Sequence, residues 1–497
     1  MVSDAICDTF LNEVNTDMYP MMWNFDYLCI RQKKIIMKKI IMKKNLFSLS
    51  FLLAAALAVA ENPCVQTCFT TDPAPMVHGD RLYVYTGHDE NGADFFWMQE
   101  WRVYSTEDMV NWTDHGSPLA IEDFSWGDDR AWAPQCVERN GKFYFYVPLH
   151  SKLTGAMAIG VAVGDSPTGP FKDAIGKPLA DGNWDFIDPT CFIDDDGQAY
   201  LYWGNPTIYY VKLNDDMVSF DGEVQKLVPD EASFGPGKEV PMEPGKKYGS
   251  SYTEGPWFFK RNGKYYMLYA AGGIPEHIAY SMSDSPTGPW KYMGTIMPQK
   301  DATNSFTNHC GVTDYKGKSY FFYHTGNLPG GGGFGRSFCV EPFEYNADGT
   351  FPTILPTKEG APAIGYLDPY QRVEAETMAW SKGIATEQNA KEGVYVTDIH
   401  NDDFIKVANV DFRSGAPKSF CASGASGLRG GTIEVHLDAE DGPLVAELNV
   451  PGTGSYENFA YIEAPAKMEA SDVHDIYLVF KGRKGPHLMN LDYWQFK

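Results

Sequence analysis

Three acidic residues hold the same place in a recurring pattern. Asp188 and Glu254 each stand nine residues before a turn glycine, Gly197 and Gly263. Asp72 stands seven before Gly79, a difference that a turn two residues shorter would explain. Nine residues before Gly141 the place is taken by Trp132, and nine before Gly317 by Asn308, followed by His309. Carboxylates brought close together resist joint ionisation, which drives their pKa values apart. Glycoside cleavage needs that division: one carboxylic acid protonates the leaving oxygen, and one carboxylate activates water or attacks. A third can keep the acid protonated. Binding a metal is the chemical alternative for three acids, although no calcium-loop or paired-His spacing accompanies them. A single Asp-Pro at a strand start is an ordinary solvated turn; three acids in register, each near a proline, favour a common site.

Such residues meet only if repeated elements carry them to one point. A glycine turn followed by aromatic strand residues occurs five times: HGDRLYVY (78–85), NGKFYFYV (140–147), DGQAYLYW (196–203), NGKYYMLY (262–269) and KGKSYFFY (316–323). The turn glycines are 62, 56, 66 and 54 residues apart. Asn-Gly and Asp-Gly between β-rich runs mark hairpins, and near-even spacing marks a repeat fold. GDSPTGPFKD (164–173) and SDSPTGPWKY (283–292) are near copies lying between these turns, with STEDMVNWTDHG (105–116) in the matching place of the first unit. Each unit thus holds two hairpins, or four strands, and residues 62–366 divide into five units of 61. The expectation is an all-β chain: a five-bladed β-propeller over 62–351. Tandem β-sandwiches are the alternative, but they give no reason for whole-unit repetition. Residues 352–370, rich in Pro and Gly, read as a linker. The 127 residues from Gln371 alternate apolar and polar residues and read as a β-sandwich domain.

Composition agrees. The 497 residues include 12 Trp, 29 Tyr and 30 Phe, with 48 Gly and 32 Pro, a balance that favours strands and turns over helices. Sixty-five acidic against 41 basic residues give a formal charge of −24, which disfavours nucleic acid and anionic membranes as partners. A neutral sugar, which stacks on aromatic rings and bonds to carboxylates, fits better. KKNLFSLSFLLAAALAVA (43–60) has the basic, apolar and small-residue regions of a cleaved signal, and is short for a membrane span. Export implies a signal peptide over 37–60, a start at Met37 or Met42, and an upstream mis-start over 1–36. Seven Cys follow residue 60, an odd number without metal spacing. Cys64 and Cys68 are placed to pair in an oxidising compartment; Cys136, Cys191 and Cys310, in apolar strand runs, read as buried thiols.

The acid-bearing repeats resemble glycoside hydrolase family 43, over roughly residues 70–350, in blade count, order and all three acids. The resemblance implies an inverting enzyme in which Asp72 is the general base, Asp188 tunes and orients the acid, and Glu254 is the general acid. It also implies that His309 lies on the propeller axis, meeting a calcium ion or waters, and that Arg336 in GFGRSFCVEPF contacts substrate. Repeat register places Trp132 on the sugar pocket or in blade packing. WRVYSTEDMVNWTDHG and AWAPQCVERNGKFYFYVP look like family members acting on arabinoxylan.

The C-terminal part resembles a family-6 carbohydrate-binding module in its Glu-Ala-Glu opening, GGTIEVHLDAEDGP, VPGTGSYENFAYI, VHDIYLVFKG and the NLDYW ending. The resemblance implies a structural calcium at Glu374, Glu376 and Asp492, and a glycan cleft containing Phe459 and Asn490. The first cleft aromatic falls at Asp398, a departure that weighs against glycan binding there and toward a structural role for the module. The whole reading is a secreted or periplasmic inverting glycosidase that needs no cofactor for its chemistry and takes a polysaccharide or oligosaccharide as its partner. The activity expected is α-L-arabinofuranosidase on arabinoxylan side chains. The alternatives are an exo-acting β-xylosidase and a non-catalytic sugar-binding propeller.

Overall fold

Each of the five turn glycines adopts a left-handed backbone, with φ between +59° and +86°. In the second and fourth blades the preceding Asn140 and Asn262 do so as well, at +55° and +50°, as two-residue hairpin turns require. These turns set the frame of a computed structural model that describes residues 61–239, 245–298, 303–468 and 472–497. The expected mis-start (1–36) and signal peptide (37–60) lie outside the described residues.

The hairpins pair into five antiparallel sheets in chain order. The first contains Thr71–His78, Arg81–Gly87, Glu100–Thr106 and Trp112–Asp114. The third and fourth run Thr190–Ile193 to Phe220–Leu227 and Tyr252–Arg261 to Lys291–Met297. Central strands such as Ala199–Trp203 are buried along their whole length because a neighbouring blade covers each face. Aromatic rings fill these seams. Tyr85 meets Phe145 between blades one and two (centroids 5.0 Å), Tyr202 stacks on Phe258 between three and four (4.6 Å), and Trp112 meets Phe338 between one and five (5.2 Å). The aromatic excess in the sequence is therefore largely inter-blade packing. The two SPTGP copies keep equivalent ion pairs, Lys142–Asp165 and Lys264–Asp284.

The fifth blade departs from the expected four strands. It has three of its own, Gly311–Tyr315, Lys318–Thr325 and Ser337–Phe343. The N-terminal segment runs beside the last of them. Thr70 forms a parallel bridge with Ser337, the Cys64 N–H donates to the Phe338 carbonyl (2.9 Å), and the Val340 N–H donates to Asn62 Oδ1 (3.0 Å). The chain start thus closes the ring. Cys64 and Cys68 do not pair here: all seven described cysteines are free, and the Cys68 thiol lies 3.2 Å from the Tyr104 hydroxyl.

Residues 352–370 lie against the propeller rather than hanging free. The Ile354 N–H donates to Ile296 (2.9 Å), the Ile364 N–H donates to Asp108 (3.0 Å), and Ala361 is fully buried. The C-terminal region is a two-sheet sandwich whose inner faces share one apolar cluster centred on Trp494, Phe420 and Phe480. Its short strand Thr377–Met378 pairs with Trp112–Asp114 and extends blade one. Beside it, Asn111 donates to the Ala408 carbonyl and accepts from the Ala408 N–H, both at 2.8 Å. Among the described residues, no helix is long and apolar enough to cross a membrane.

Candidate active site

The acids sit where their strands break regular pairing. Asp72 and Asp188 both have left-handed φ, 53° and 58°, and each precedes a proline. Strand register shifts between Thr71 and Ala74 in blade one, and on both sides of Glu254 in blade four. Asp is among the few side chains that visit this region, at some cost in strain, and such strain gathers at functional sites. Gly255, at φ +62°, packs so close to His309 that a Cβ there would lie 3.0 Å from the ring.

One pocket of about 260 Å³ is lined by Asp72, Trp132, Asp188, Glu254, His309 and Arg336 together. Six residues singled out from the sequence thus share one cavity. Its volume falls below the ~300–1,000 Å³ typical of pockets for drug-sized ligands, so it suits one sugar ring rather than a chain. Asn308, which holds the same repeat position in blade five, lines it too; Asn205, Thr307, Phe95, Phe96 and Trp184 also line it and were not foreseen. Trp132 serves both expected ends: its indole N–H donates to the Phe96 carbonyl (2.9 Å) while its ring faces the pocket.

The three carboxylates differ in charge state. Burial pushes Asp72 up, but the Arg336 guanidinium and His324 outweigh it and hold the carboxyl far below the usual range. Asp72 Oδ1 lies 3.2 Å from His324 Nδ1 and 3.5 Å from an Arg336 nitrogen. Arg336 is itself fixed by Asp89, which accepts from its Nε and from a terminal nitrogen, both at 2.9 Å. Asp188 moves the other way. Burial and then the charge of Glu254 push it well above the ordinary range, although Oδ2 accepts the Gly255 N–H (2.9 Å). Glu254 is raised by burial and then by Asp72, and Asn205 donates to its Oε2 at 2.5 Å. Asp188 and Glu254 form a coupled pair that retains a proton where Asp72 is ionised. Burial holds the His309 ring at about 4, against the pull of Asp72, so it is neutral. Behind the pocket, burial and then Glu254 also raise Glu276.

The sandwich residues fare differently. Tyr395, itself buried, meets Phe459 edge-on, with centroids 5.4 Å apart. The Asn490 amide donates to the Tyr456 carbonyl (2.9 Å) and is buried. Asp398 is exposed and left-handed (φ 55°) beside His400. Phe459 is half-buried, and Asn490 Oδ1, buried without a partner, keeps unused hydrogen-bonding capacity.

The expected calcium ligands divide into two cases. Among the described residues, no group of three or more His, Cys, Asp or Glu is arranged to hold a metal ion. His309 shares its surroundings with the Arg336 guanidinium, and the one carboxylate that pulls on its charge, Asp72, already pairs with that guanidinium. This donor set does not fit a divalent cation. In the sandwich, Arg372 spans Glu374 (2.8 Å) and Asp492 (3.3 Å), while Glu376, 5% exposed, has an Oε2 without a partner. Burial and crowding by Glu374, against the pull of Arg372, raise Asp492 to about 6. A buried, orphaned carboxylate oxygen among acids is compatible with a cation at that position.

A five-bladed propeller whose axial pocket divides protons among three carboxylates defines a glycoside-cleaving enzyme. The chain belongs to Glycosyl hydrolases family 43, whose profile matches residues 60–351, and carries a Carbohydrate binding module (family 6) over residues 374–497. It is 35% identical to an arabinoxylan arabinofuranohydrolase of Bacillus subtilis (strain 168), covering 88% of this chain and 92% of that one. It is 33% identical to an arabinoxylan arabinofuranohydrolase of Paenibacillus polymyxa, covering 88% and 74%. Among solved structures, a family-43 arabinoxylan arabinofuranohydrolase from Bacillus subtilis in complex with cellotetraose matches with a TM-score of 0.77 and 32% identity, over 89% of this chain and 100% of that one.

Proposed function

We propose that this protein is an inverting α-L-arabinofuranosidase that removes single arabinose side chains from arabinoxylan. The observation that carries the reading is the opposed state of carboxylates in one sugar-sized pocket: Asp72 held ionised, Asp188 and Glu254 pushed toward the acid form. In this reading Asp72 takes a proton from water, and the water oxygen bonds to the anomeric carbon from one face. The bond to the leaving oxygen breaks on the other face, and Glu254 delivers its proton to that oxygen. Asp188 and Glu254 share the retained proton, and Asp188, which accepts the Gly255 N–H beside Glu254, orients the acid. Arg336, His309 and Trp132 contact the sugar.

The mouth of the pocket supports a polymeric leaving group. Phe95 and Trp184, which line the pocket, are 37% and 56% exposed, and Trp97, 40% exposed, packs edge-on against Phe95 with centroids 5.3 Å apart. The Arg130 guanidinium stands 5.3–6.0 Å from all three rings. Exposed rings of this kind stack on the faces of a sugar chain lying across the opening. The test is a panel of nitrophenyl pentosides plus arabinoxylan, with the released sugar identified. Arabinose from both the arabinoside and the polymer supports the reading. Xylose from the ends of xylo-oligosaccharides would make it a β-xylosidase, and binding without turnover a sugar-binding propeller.

Three further parts belong to the same proposal. The chain is exported, with cleavage after Ala60, which N-terminal sequencing of the mature protein tests. Its functional limits are a catalytic propeller over 62–351, a linker over 352–370 and a module over 371–497. The module takes one structural calcium ion at Glu374, Glu376 and Asp492, with Arg372 displaced. A thermal midpoint that rises with added calcium in the wild type but not in Glu376→Gln supports that assignment, and one indifferent to calcium opposes it.

A further inference from the structure

We propose that Glu276 is a positioning residue for the reaction: from blade four it fixes the Phe306–His309 segment and thereby the Asn308 side chain at the sugar pocket. The inference rests on the functional reading above. Glu276 immediately precedes the strand His277–Ser283 and is 1% exposed. Its backbone N–H donates to the Phe306 carbonyl (3.1 Å), and its Oε2 accepts the Asn308 N–H (2.8 Å). One residue thus holds the segment at two points.

The same segment is held from blade five by different groups. The Thr307 hydroxyl accepts from Arg336 (3.2 Å), and the Thr307 carbonyl lies 3.0 Å from His324 Nε2. Thr307, Asn308 and His309 all line the pocket. Arg336 and His324 also touch Asp72, so the blade-five grip is shared with the ionised acid. Glu276 supplies the grip from the neighbouring blade, on the side of Glu254.

Two buried atoms at this junction lack partners: Glu276 Oε1 and Asn308 Oδ1. The Asn308 Nδ2 has only a sulfur contact, Met297 Sδ at 3.7 Å. A buried amide without protein partners is costly unless something else satisfies it. On the wall of a sugar pocket, that partner is a substrate hydroxyl. Asn308 can meet it only if its backbone stays where Glu276 holds it, and a misplacement of about 1 Å can cost on the order of 10²-fold in rate.

The experiment is a double-mutant cycle on the full-length protein, read as kcat and KM on the pentoside that the wild type turns over best. Glu276→Ala should lower kcat/KM by about 10- to 100-fold. Glu276→Gln, which keeps an acceptor for the Asn308 N–H, should stay within about threefold of wild type. Asn308→Ala should lose activity by itself, and adding Glu276→Ala to it should cost less than about twofold more, because the two act as one unit. Fully additive losses would overturn the proposal, as would a Glu276→Ala enzyme of wild-type activity. If Glu276→Ala fails to fold, Glu276→Gln decides: a folded Gln variant with activity lost tenfold or more refutes the positioning role. Wild-type turnover tests the functional reading separately, since these ratios can be read on any pentoside it cleaves.

Discussion

The chain carries two carbohydrate-type sites, and they are built from different groups. In the propeller pocket, polar groups are buried yet incompletely satisfied: Asn308 Oδ1 has no partner, and Asp188 and Glu254 crowd each other. In the sandwich, Phe459 meets Tyr395 edge-on and the Asn490 Nδ2 donates to the Tyr456 carbonyl, while Asn490 Oδ1 is left without a partner, as Asn308 Oδ1 is. A site that must bind and react keeps unpaired capacity at a cost in stability. An aromatic ring and an amide can stack on and hydrogen-bond a sugar, but they hold no proton to deliver. The contrast explains why one resemblance carries chemistry here, while the other carries a module that also extends blade one through Thr377–Met378.

Breaking the first site should have the largest effect. Glu254→Gln or Asp72→Asn should lower kcat by about 10²–10⁴-fold, the usual worth of a positioned acid or base. Glu254→Gln should keep its affinity for arabinoxylan, measured by calorimetry. Arg336→Leu should come next, since it leaves Asp89 and Asp72 buried without their cation. Losing one partner of such a pair costs about 3–5 kcal/mol, which a fall in the urea midpoint would report.

The pH profile sharpens the comparison further. The acid must be protonated, so kcat/KM should fall as pH rises through the raised range of the Asp188–Glu254 pair. The base, whose carboxyl is held low, stays ionised well into acid, so Asp72 does not limit the acidic side. Asp188→Asn removes one charge of the pair, and the alkaline limb of the profile should move to lower pH.

Two further effects test the other half. Asn111→Ala strips the Ala408 N–H and carbonyl of their partner at the propeller–sandwich contact, at about 1–3 kcal/mol for each group left unsatisfied. A lowered thermal midpoint of the full chain would show it. Phe459→Ala should change arabinoxylan binding by less than about twofold, because a residue packed against Tyr395 is not a free stacking surface. A tenfold loss in pull-down on insoluble arabinoxylan would make the sandwich cleft a glycan-binding site.

Much of the propeller could be read from the chain because its period is long and its turns share one chemistry. Asp72, Asp188 and Glu254 could be read because each holds a fixed offset from a turn glycine, so register alone carried them to one pocket. Asp89 could not: it lies in a loop with no counterpart in other repeats, yet it anchors Arg336. Glu276 is hidden for the same reason, since its position follows from a loop path rather than strand register. The ring closure by residues 62–70 and the strand Thr377–Met378 depend on partners hundreds of residues away, which no local pattern encodes. The contact of Phe459 with Tyr395 depends on side-chain packing, which strand alternation does not encode.

The central claim is a single displacement in which Asp72 and Glu254 work on opposite faces of one sugar. Proton NMR of the earliest product from an aryl α-L-arabinofuranoside tests it directly. The account predicts that β-L-arabinofuranose forms first and only then equilibrates. Initial release of the α anomer would mean retention and would contradict the assignment of Asp72 as the base that activates water.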